Sequence, residues 1–177
     1  EGAEVHLPAG IEVDVVETNR GGRSTFHGPG QLVCYPILDL KRHGQDLKRY
    51  VRDLERAIIA TVAPFRLEAV TLEGLTGVWM PPSTTAPPRK LAPIGVHASR
   101  WVTSHGYALN VDLDPTPFTH WITACGLEAA ALESIALELG RPLTVDEVRP
   151  AAASSLAEVF GLELTPSSVD ELLAHAR

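Results

Sequence analysis

The sequence predicts an α+β fold in a single domain of 177 residues. Segments with strand character are gathered in the first part of the chain, the C-terminal part is helical, and the two types do not alternate regularly. A chain of this length with 45% hydrophobic residues can bury one sizeable core. Since neither an internal repeat nor a convincing linker is present, we assign residues 1–177 to one domain.

Short apolar or alternating segments indicate the strands. Residues 11–17 (IEVDVVE) alternate and are β-branched, and residues 32–38 (LVCYPIL) form an apolar run in which Pro36 indicates an edge or a bulge. Four further strands are predicted at 67–72, 77–80, 90–96 and 104–113. The intervening segment PPSTTAPP, residues 81–88, is typical of a hairpin tip.

The clearest helical pattern covers residues 45–62, where apolar residues recur at steps of three and four. The residues on this face are Leu47, Tyr50, Val51, Leu54, Ile58 and Val62. Pro64 ends the pattern because proline lacks the N–H that would continue a helix.

The C-terminal part of the chain has its own helix signals. Thr144 and Glu147 have the spacing of a capping box, which opens a helix that is expected to run to about Phe160. Gly161 fits the stop signal of that helix. A last short helix is expected around residues 167–175.

Charge and composition exclude several classes of protein. With 15 basic and 22 acidic residues the net charge is −7, which argues against nucleic acid as the main partner. No apolar run is long enough to span a bilayer, no signal peptide opens the chain, and Glu1 is not expected to be the natural start. The two cysteines, Cys34 and Cys125, are too few for a disulfide scaffold, so we expect a reducing cytoplasmic setting.

Cys125 is the first candidate for chemistry. It lies in ITACGL, residues 122–127, where Gly126 lets the backbone turn and leaves its N–H free to meet an oxyanion. An inert buried cysteine is the other interpretation, and on this segment alone the commoner one. Cys34 lies in the middle of a predicted strand and is interpreted as a core residue.

A nucleophilic cysteine needs a nearby base or cation, since the thiolate is the reactive form. The candidates are Lys90, His27 and His105. Lys90 opens an apolar strand, where partial desolvation suits a lysine to general-base work, although an edge lysine with a solvated head is the alternative. Neither histidine has the H-x-x-x-H spacing of a helical metal site, so no metal is expected.

The loop RGGRSTFHGPGQ, residues 20–31, is too rich in glycine and proline for regular structure. It lacks the phosphate-loop motif and the spacing of the dinucleotide fingerprint. A loop of this kind lets a ligand approach the main chain closely, so it favours a neutral or acyl ligand over a nucleotide.

Four segments in order resemble one family, the octanoyl-[acyl carrier protein]:protein N-octanoyltransferases, also called lipoate-protein ligase B. RGGRSTFHGPGQLVCYP (20–36) is similar to RGG-x-x-T-x-HGPGQ-L-x-x-YP, and RKLAPIGV (89–96) is similar to K-x-x-x-IGV. SHGYALNV (104–111) matches HG-x-ALN-V, and FTHWITACGL (118–127) matches F-x-x-I-x-PCG-I/L. The resemblance extends from residue 11 to about residue 160 in one register.

The resemblance implies a mixed β-sheet flanked by helices, the fold of the catalytic domains of biotin protein ligases and lipoate ligases. It implies that Cys125, activated by Lys90, takes octanoyl from acyl carrier protein and passes it to a lysine of a lipoyl domain. The acceptors would be the lipoyl domains of 2-oxoacid dehydrogenase complexes and the glycine cleavage H protein, with no cofactor, nucleic acid or membrane involved. The implied substrate-contacting residues are Arg20, Gly21, Gly22, Arg23, Ser24, Thr25, Phe26, His27, Pro93, Ile94, Gly95, Gly106, Tyr107 and Ala108, supported by His105 and Gly126.

Three positions depart from the family pattern. Ala124 replaces the proline before the cysteine, Pro93 stands where a small residue is usual, and Glu133 stands where a Thr-Ser-Leu motif begins. An earlier segment of the family, with an EHP-type strand, is not found in this sequence. Two other functions stay open: an ATP-dependent lipoate or biotin ligase, and a non-catalytic protein that binds an acyl carrier.

Overall fold

The computed structural model describes residues 7–22, 24–117 and 132–175. Its strands and helices come in an order that begins with strands and ends with helices, as an α+β fold requires. They are β1 (Gln31–Cys34), α1 (Leu47–Val62), β2 (Val70–Leu72), β3 (Leu75–Met80), β4 (Arg89–Ala92), β5 (Ile94–Ser99), β6 (Val102–Asn110), α2 (Ile135–Leu139), α3 (Val145–Phe160) and α4 (Val169–His175). The predicted fold class is therefore confirmed.

The described strands form two antiparallel sheets of three strands each. One sheet has the order β1-β6-β5 and the other the order β2-β3-β4. A parallel bridge between Lys90 and Leu132 adds the mixed character that the resemblance implies. β1 is an edge strand and ends before Pro36, which agrees with the edge position predicted for that proline.

One predicted strand, 90–96, is two strands in the structure. β4 pairs with β3 and β5 pairs with β6, so the chain changes sheets at Pro93. Proline has no N–H to donate to a ladder, which explains the break. The Pro93 carbonyl oxygen still accepts a hydrogen bond from the Ala108 N–H (3.1 Å) and so fastens the two sheets together.

The predicted strand at 11–17 is wrong. These residues adopt no strand, and the side chains of Val15 and Val16 are 72% and 74% exposed. β-branched alternation shows that a segment suits an extended backbone, but a strand also needs a neighbour to satisfy its N–H and C=O groups. The backbone of this region bonds to a sheet only later, where the Gly21 N–H donates to the Val96 carbonyl oxygen (2.9 Å).

Both long helices are confirmed, and the start of α1 lies at Leu47, not at residue 45 as predicted. α1 begins where the Asp46 side chain accepts from the Arg49 N–H (2.9 Å) and ends at Val62, before Pro64. The capping box of α3 is present, and Gly161 takes the left-handed conformation (φ 63°) that closes that helix.

The core lies between α1, α3 and the sheets. Leu54 and Ile58 of α1 are fully buried, and each contributes about 1.5–3 kcal/mol by leaving water. Tyr50 packs beside Phe160 of α3 and donates from its hydroxyl to the Pro36 carbonyl oxygen (3.0 Å). Across residues 7–22, 24–117 and 132–175, no helix combines the length and the apolar character that crossing a membrane requires.

Candidate active site

A cleft of about 50 Å³ lies against the β5–β6 hairpin. It brings together residues from three of the four motifs, which are far apart in the sequence. Its lining is Arg20, Thr25, His27, Tyr35, Pro93, Ile94, Gly95, His105, Gly106, Tyr107 and Ala108. Apart from Tyr35, every one of these was singled out as a substrate-contacting or supporting residue. Tyr35 belongs to the YP end of the first motif, and its place in that motif could have identified it as a site residue.

Two glycines make room in this cleft. Gly95 and Gly106 are paired across β5 and β6. A Cβ atom on Gly95 would lie 2.9 Å from Arg20 Cδ and from the Gly21 carbonyl oxygen. A Cβ atom on Gly106 would overlap the Cys34 carbonyl oxygen. The absence of side chains at these two positions therefore lets the neighbouring segments lie directly against the hairpin backbone.

His105 and Tyr35 are neighbours in the cleft lining. Their rings meet edge to face with centroids 5.7 Å apart, a favoured aromatic geometry. His105 has a positive φ of 59°, which is uncommon for a residue other than glycine. Its Nε2 lies 2.9 Å from Asn19 Oδ1, so the segment before the first motif helps to hold the ring in this conformation.

His27 is connected to the centre of the sheet through side-chain amides. Its Nδ1 lies 3.1 Å from Gln31 Oε1, and Gln31 Nε2 donates to Asn110 Oδ1 at 2.9 Å. Asn110 Nδ2 donates in turn to the Glu133 carbonyl oxygen, also at 2.9 Å. Gln31 and Asn110 were not predicted as site residues, although Gln31 ends the HGPGQ stretch and Asn110 ends the ALN stretch of the motifs.

Lys90 lies in β4, directly opposite Trp79 of β3. Its Nζ stands 4.5 Å from the centre of the Trp79 ring, which is the geometry of a cation–π contact. The Lys90 carbonyl oxygen accepts from the Glu133 N–H (3.0 Å), and Leu132 bridges to the same residue. The chain that follows residue 131 therefore joins the sheet at Lys90.

The Glu133 carboxylate, one of the departures from the family pattern, is held by a local ion pair. Arg89 Nε donates to its Oε2 (2.6 Å), and Arg89 also pairs with Glu138. Burial raises the pKa of the Glu133 carboxyl, and the hydrogen bonds from Arg89 and the Ser134 N–H oppose that shift. Arg89 thus supplies the charge that makes a buried glutamate tolerable at this position.

Cys34 packs against the core, as expected of a strand cysteine. Burial raises the pKa of its thiol, and the neighbouring Tyr107 hydroxyl only partly opposes the shift. A thiol with a raised pKa stays protonated near neutral pH and is a poor nucleophile. This environment agrees with the interpretation of Cys34 as structural.

The remaining site predictions fall in two groups. Gly21, Gly22, Ser24 and Phe26 belong to the stretch that borders the cleft but do not line it. The predicted nucleophile Cys125, together with Arg23, Ala124 and Gly126, lies outside the described residues.

A larger depression of about 290 Å³ lies elsewhere, between α1 and the end of α3. It is lined mainly by polar groups, including Arg42, His43, Arg49 and Asp53. No residue that the resemblance implicates in substrate contact lines it. We therefore place the candidate active site in the smaller cleft, where the motif residues meet.

Comparison with known proteins identifies the family of this chain. Residues 4–157 match the family model described as the lipoyl protein ligase A/B catalytic domain. The chain belongs to this family. An octanoyltransferase of Citrifermentans bemidjiense is 46% identical to it over 153 residues, which cover 86% of this chain and 72% of that protein.

Solved structures of the family's fold are more distant in sequence. A structure described as an archaeal bi-partite lipoate protein ligase and its E2 lipoyl domain, from Thermoplasma acidophilum, superposes with a TM-score of 0.67 at 16% identity. The match covers 89% of this chain and 63% of that one. A biotin protein ligase from Aquifex aeolicus gives a TM-score of 0.56 at 13% identity, with 75% and 53% covered. The implied kinship with both ligase folds is therefore confirmed at the level of the fold.

Proposed function

We propose that this protein is an octanoyltransferase of protein lipoylation. It takes octanoyl from acyl carrier protein and transfers it to the lysine of a lipoyl domain. Relatives named octanoyltransferase at 44–48% identity support the reaction. The observation that carries the assignment of the site is the convergence of three motifs on one cleft beside the strand that bears Lys90.

In the first step the Cys125 thiolate attacks the carbonyl carbon of the carrier thioester. A new C–S bond forms, the carrier thiolate leaves, and it takes up the proton that Cys125 gave to Lys90. Lys90 suits this role because β4 and Trp79 fix its ammonium group next to the point where the chain after residue 131 joins the sheet. The Gly126 N–H is the proposed oxyanion donor.

In the second step the neutral amine of the acceptor lysine attacks the octanoyl-Cys125 thioester. The C–N bond forms, the C–S bond breaks, and the proton lost by the amine passes through Lys90 to the departing Cys125 thiolate. Exchange between thioesters is nearly balanced in free energy, and amide formation from a thioester is downhill, so the proposal includes no ATP and no cofactor.

The proposed acceptors are the lipoyl domains of 2-oxoacid dehydrogenase complexes and the glycine cleavage H protein, and the proposed compartment is the cytoplasm. We assign the octanoyl chain to the cleft because residues of three motifs meet there. Each methylene that leaves water contributes about 0.8 kcal/mol, enough to rank acyl chains by length. We further propose that the described elements belong to one catalytic domain.

The test is the intact mass of the protein after mixing with octanoyl-acyl carrier protein, without ATP. The wild-type protein and the Cys34→Ser variant should each gain one octanoyl group, and Cys125→Ser should gain none. Subsequent addition of a lipoyl domain should move the mass to that domain. A protein that modifies the lipoyl domain only with free octanoate and ATP is a ligase, and one that binds the carrier without a mass change is a carrier-binding protein.

A further inference from the structure

Two buried amide side chains connect His27 at the cleft to the Glu133 backbone. Gln31 and Asn110 lie opposite each other in β1 and β6, and they are 8% and 1% exposed. Buried amides cost free energy unless their donors and acceptors are paired. The way in which these two are paired determines the protonation of a third side chain, that of His27.

The Glu133 carbonyl oxygen, at one end of this series of hydrogen bonds, can only accept. Asn110 must therefore present its Nδ2 to that oxygen, 2.9 Å away, and its Oδ1 to Gln31. Gln31 must then present its Nε2 to Asn110 Oδ1, also 2.9 Å away, which leaves Gln31 Oε1 facing His27. Each amide orientation is thus fixed by its neighbour.

The neighbouring amide also fixes which nitrogen of the His27 imidazole ring carries the hydrogen. Gln31 Oε1 is an acceptor and lies 3.1 Å from His27 Nδ1, so Nδ1 must carry the hydrogen. A neutral imidazole has one N–H, and its position is set by the partner of the other atom. Nε2 of neutral His27 therefore bears a lone pair and is the nitrogen left to meet a ligand, since His27 lines the cleft.

The far end of this series is itself rigid. The Glu133 N–H donates to the Lys90 carbonyl oxygen (3.0 Å), and the Glu133 carboxylate is held by Arg89. The carbonyl that orients Asn110 is consequently anchored to β4. A fixed acceptor at this end is what allows two amides to transmit an orientation to the cleft.

We propose that Gln31 and Asn110 are positioning residues that hold neutral His27 with its hydrogen on Nδ1, so that Nε2 accepts a hydrogen bond in the cleft. The ligand group it takes is an N–H donor. Resting on the proposed function, that donor is the neutral amine of the acceptor lysine, whose lone pair is thereby directed at the thioester carbonyl. Lys90 remains the group that receives the proton.

The tautomer is tested by a proton–nitrogen correlation spectrum of the histidine rings, recorded at a pH where they are neutral. The His27 signals are identified by their loss in His27→Gln. In the wild-type protein His27 should show a protonated Nδ1 and an unprotonated Nε2. A wild-type spectrum with the hydrogen on Nε2 overturns the proposal whatever the variants do.

Variants then test whether Gln31 sets the tautomer of His27. Gln31→Met keeps the length of the side chain but removes the acceptor, and should shift the tautomer ratio of His27 about fivefold, the equivalent of one net hydrogen bond. Gln31→Glu keeps an acceptor toward His27, so the hydrogen should stay on Nδ1, but it cannot donate to Asn110 Oδ1 and should therefore lower the thermal midpoint. Gln45→Met, at an exposed loop position, is the matched control and should leave His27 unchanged. An unaltered ratio in Gln31→Met refutes the positioning role, and the rings of His43, His97 and His105 report in the same spectra whether the fold is intact.

The role in transfer is tested separately on protein preloaded with octanoyl. Gln31→Met should slow the transfer to a lipoyl domain about fivefold while leaving the loading of Cys125 by octanoyl-acyl carrier protein at its wild-type rate. Equal slowing of both steps, or of neither, overturns the assignment of the amine as the ligand. Failure of the wild-type protein to form any thioester would refute the proposed function and leave the spectroscopic test of the tautomer standing.

Discussion

The contact between the Lys90 ammonium group and the Trp79 ring should be measurable as a coupling free energy of about 1 kcal/mol. The Nζ lies 4.5 Å from the ring centroid, within the range where the attraction is significant. Trp79 is 1% exposed but Lys90 is only half-buried, so the value should fall between about 0.5 kcal/mol for exposed pairs and about 2 kcal/mol for desolvated ones.

Single substitutions cannot isolate this contact. Trp79→Leu also leaves a cavity in the core, and Lys90→Met also removes other contacts of the ammonium group. A double-mutant cycle subtracts those separate effects. We expect the double variant to lose about 1 kcal/mol less unfolding free energy than the sum of the two single losses, as determined by urea denaturation.

The control cycle pairs Trp79→Leu with Lys48→Met, at an exposed position in the first turn of α1. These two changes should add to within about 0.3–0.5 kcal/mol, the usual limit for independent sites. If the Lys90 cycle is as additive as the Lys48 cycle, the ring does not hold the ammonium group. In that case β3 does not position the proposed catalytic lysine.

Three further results are expected. Cys125→Ser should abolish octanoyl transfer, whereas Cys34→Ser should lower the thermal midpoint and keep turnover; an inactive but folded Cys34 variant would reverse the two assignments. Lys90→Ala should raise the pH at which Cys125 reacts with a small alkylating agent, because a nearby cation lowers a thiol pKa. Lys90→Arg should keep that reactivity but lose transfer, since guanidinium is no base at ordinary pH. If the pH profiles of alkylation and the transfer rates of both variants match those of the wild-type protein, Lys90 does not activate Cys125. Gly106→Ala should lower the thermal midpoint by about 2–12 °C, because overpacking costs about 1–3 kcal/mol and each kcal/mol is about 2–4 °C in a chain of this size. Gly74→Ala, whose Cβ would meet nothing within 4 Å, should cost only its backbone strain, and an equal loss in both glycine variants would show that the close approach at Gly106 is not what matters.

Local signals account for the parts of the fold that the sequence predicts well. The capping box of α3 and the apolar face of α1 each depend on residues within a few positions of one another. The false strand at 11–17 has the right local pattern, but the partner that a strand needs is a property of the whole fold. α2 was missed because a helix of five residues is too short to show a periodicity.

The site likewise contains residues that local motifs predict and residues that only the fold brings together. Motifs identify the residues that line the cleft, except Tyr35, because the resemblance assigns the others individually. The pairing of Gln31 with Asn110 joins residues 79 positions apart, and nothing local in either segment indicates it. In the same way, a charged side chain can be buried at Glu133 because it pairs with Arg89, which lies 44 positions earlier in the chain. Cross-strand partners become visible when the register of β1 with β6 and the attachment of residue 133 to β4 are known.

The change of sheets at Pro93 explains how one short run of sequence serves two parts of the site. Before it, Lys90 is held in β4 against Trp79, and after it, Gly95 lies in β5 at the cleft. A continuous strand through this point would keep both residues in one sheet, but proline cannot donate to such a ladder. Its carbonyl oxygen, bonded to the Ala108 N–H, prevents the two sheets from separating. Pro93, which departs from the family pattern, is therefore the point at which the chain passes from the strand of the proposed catalytic lysine to the cleft.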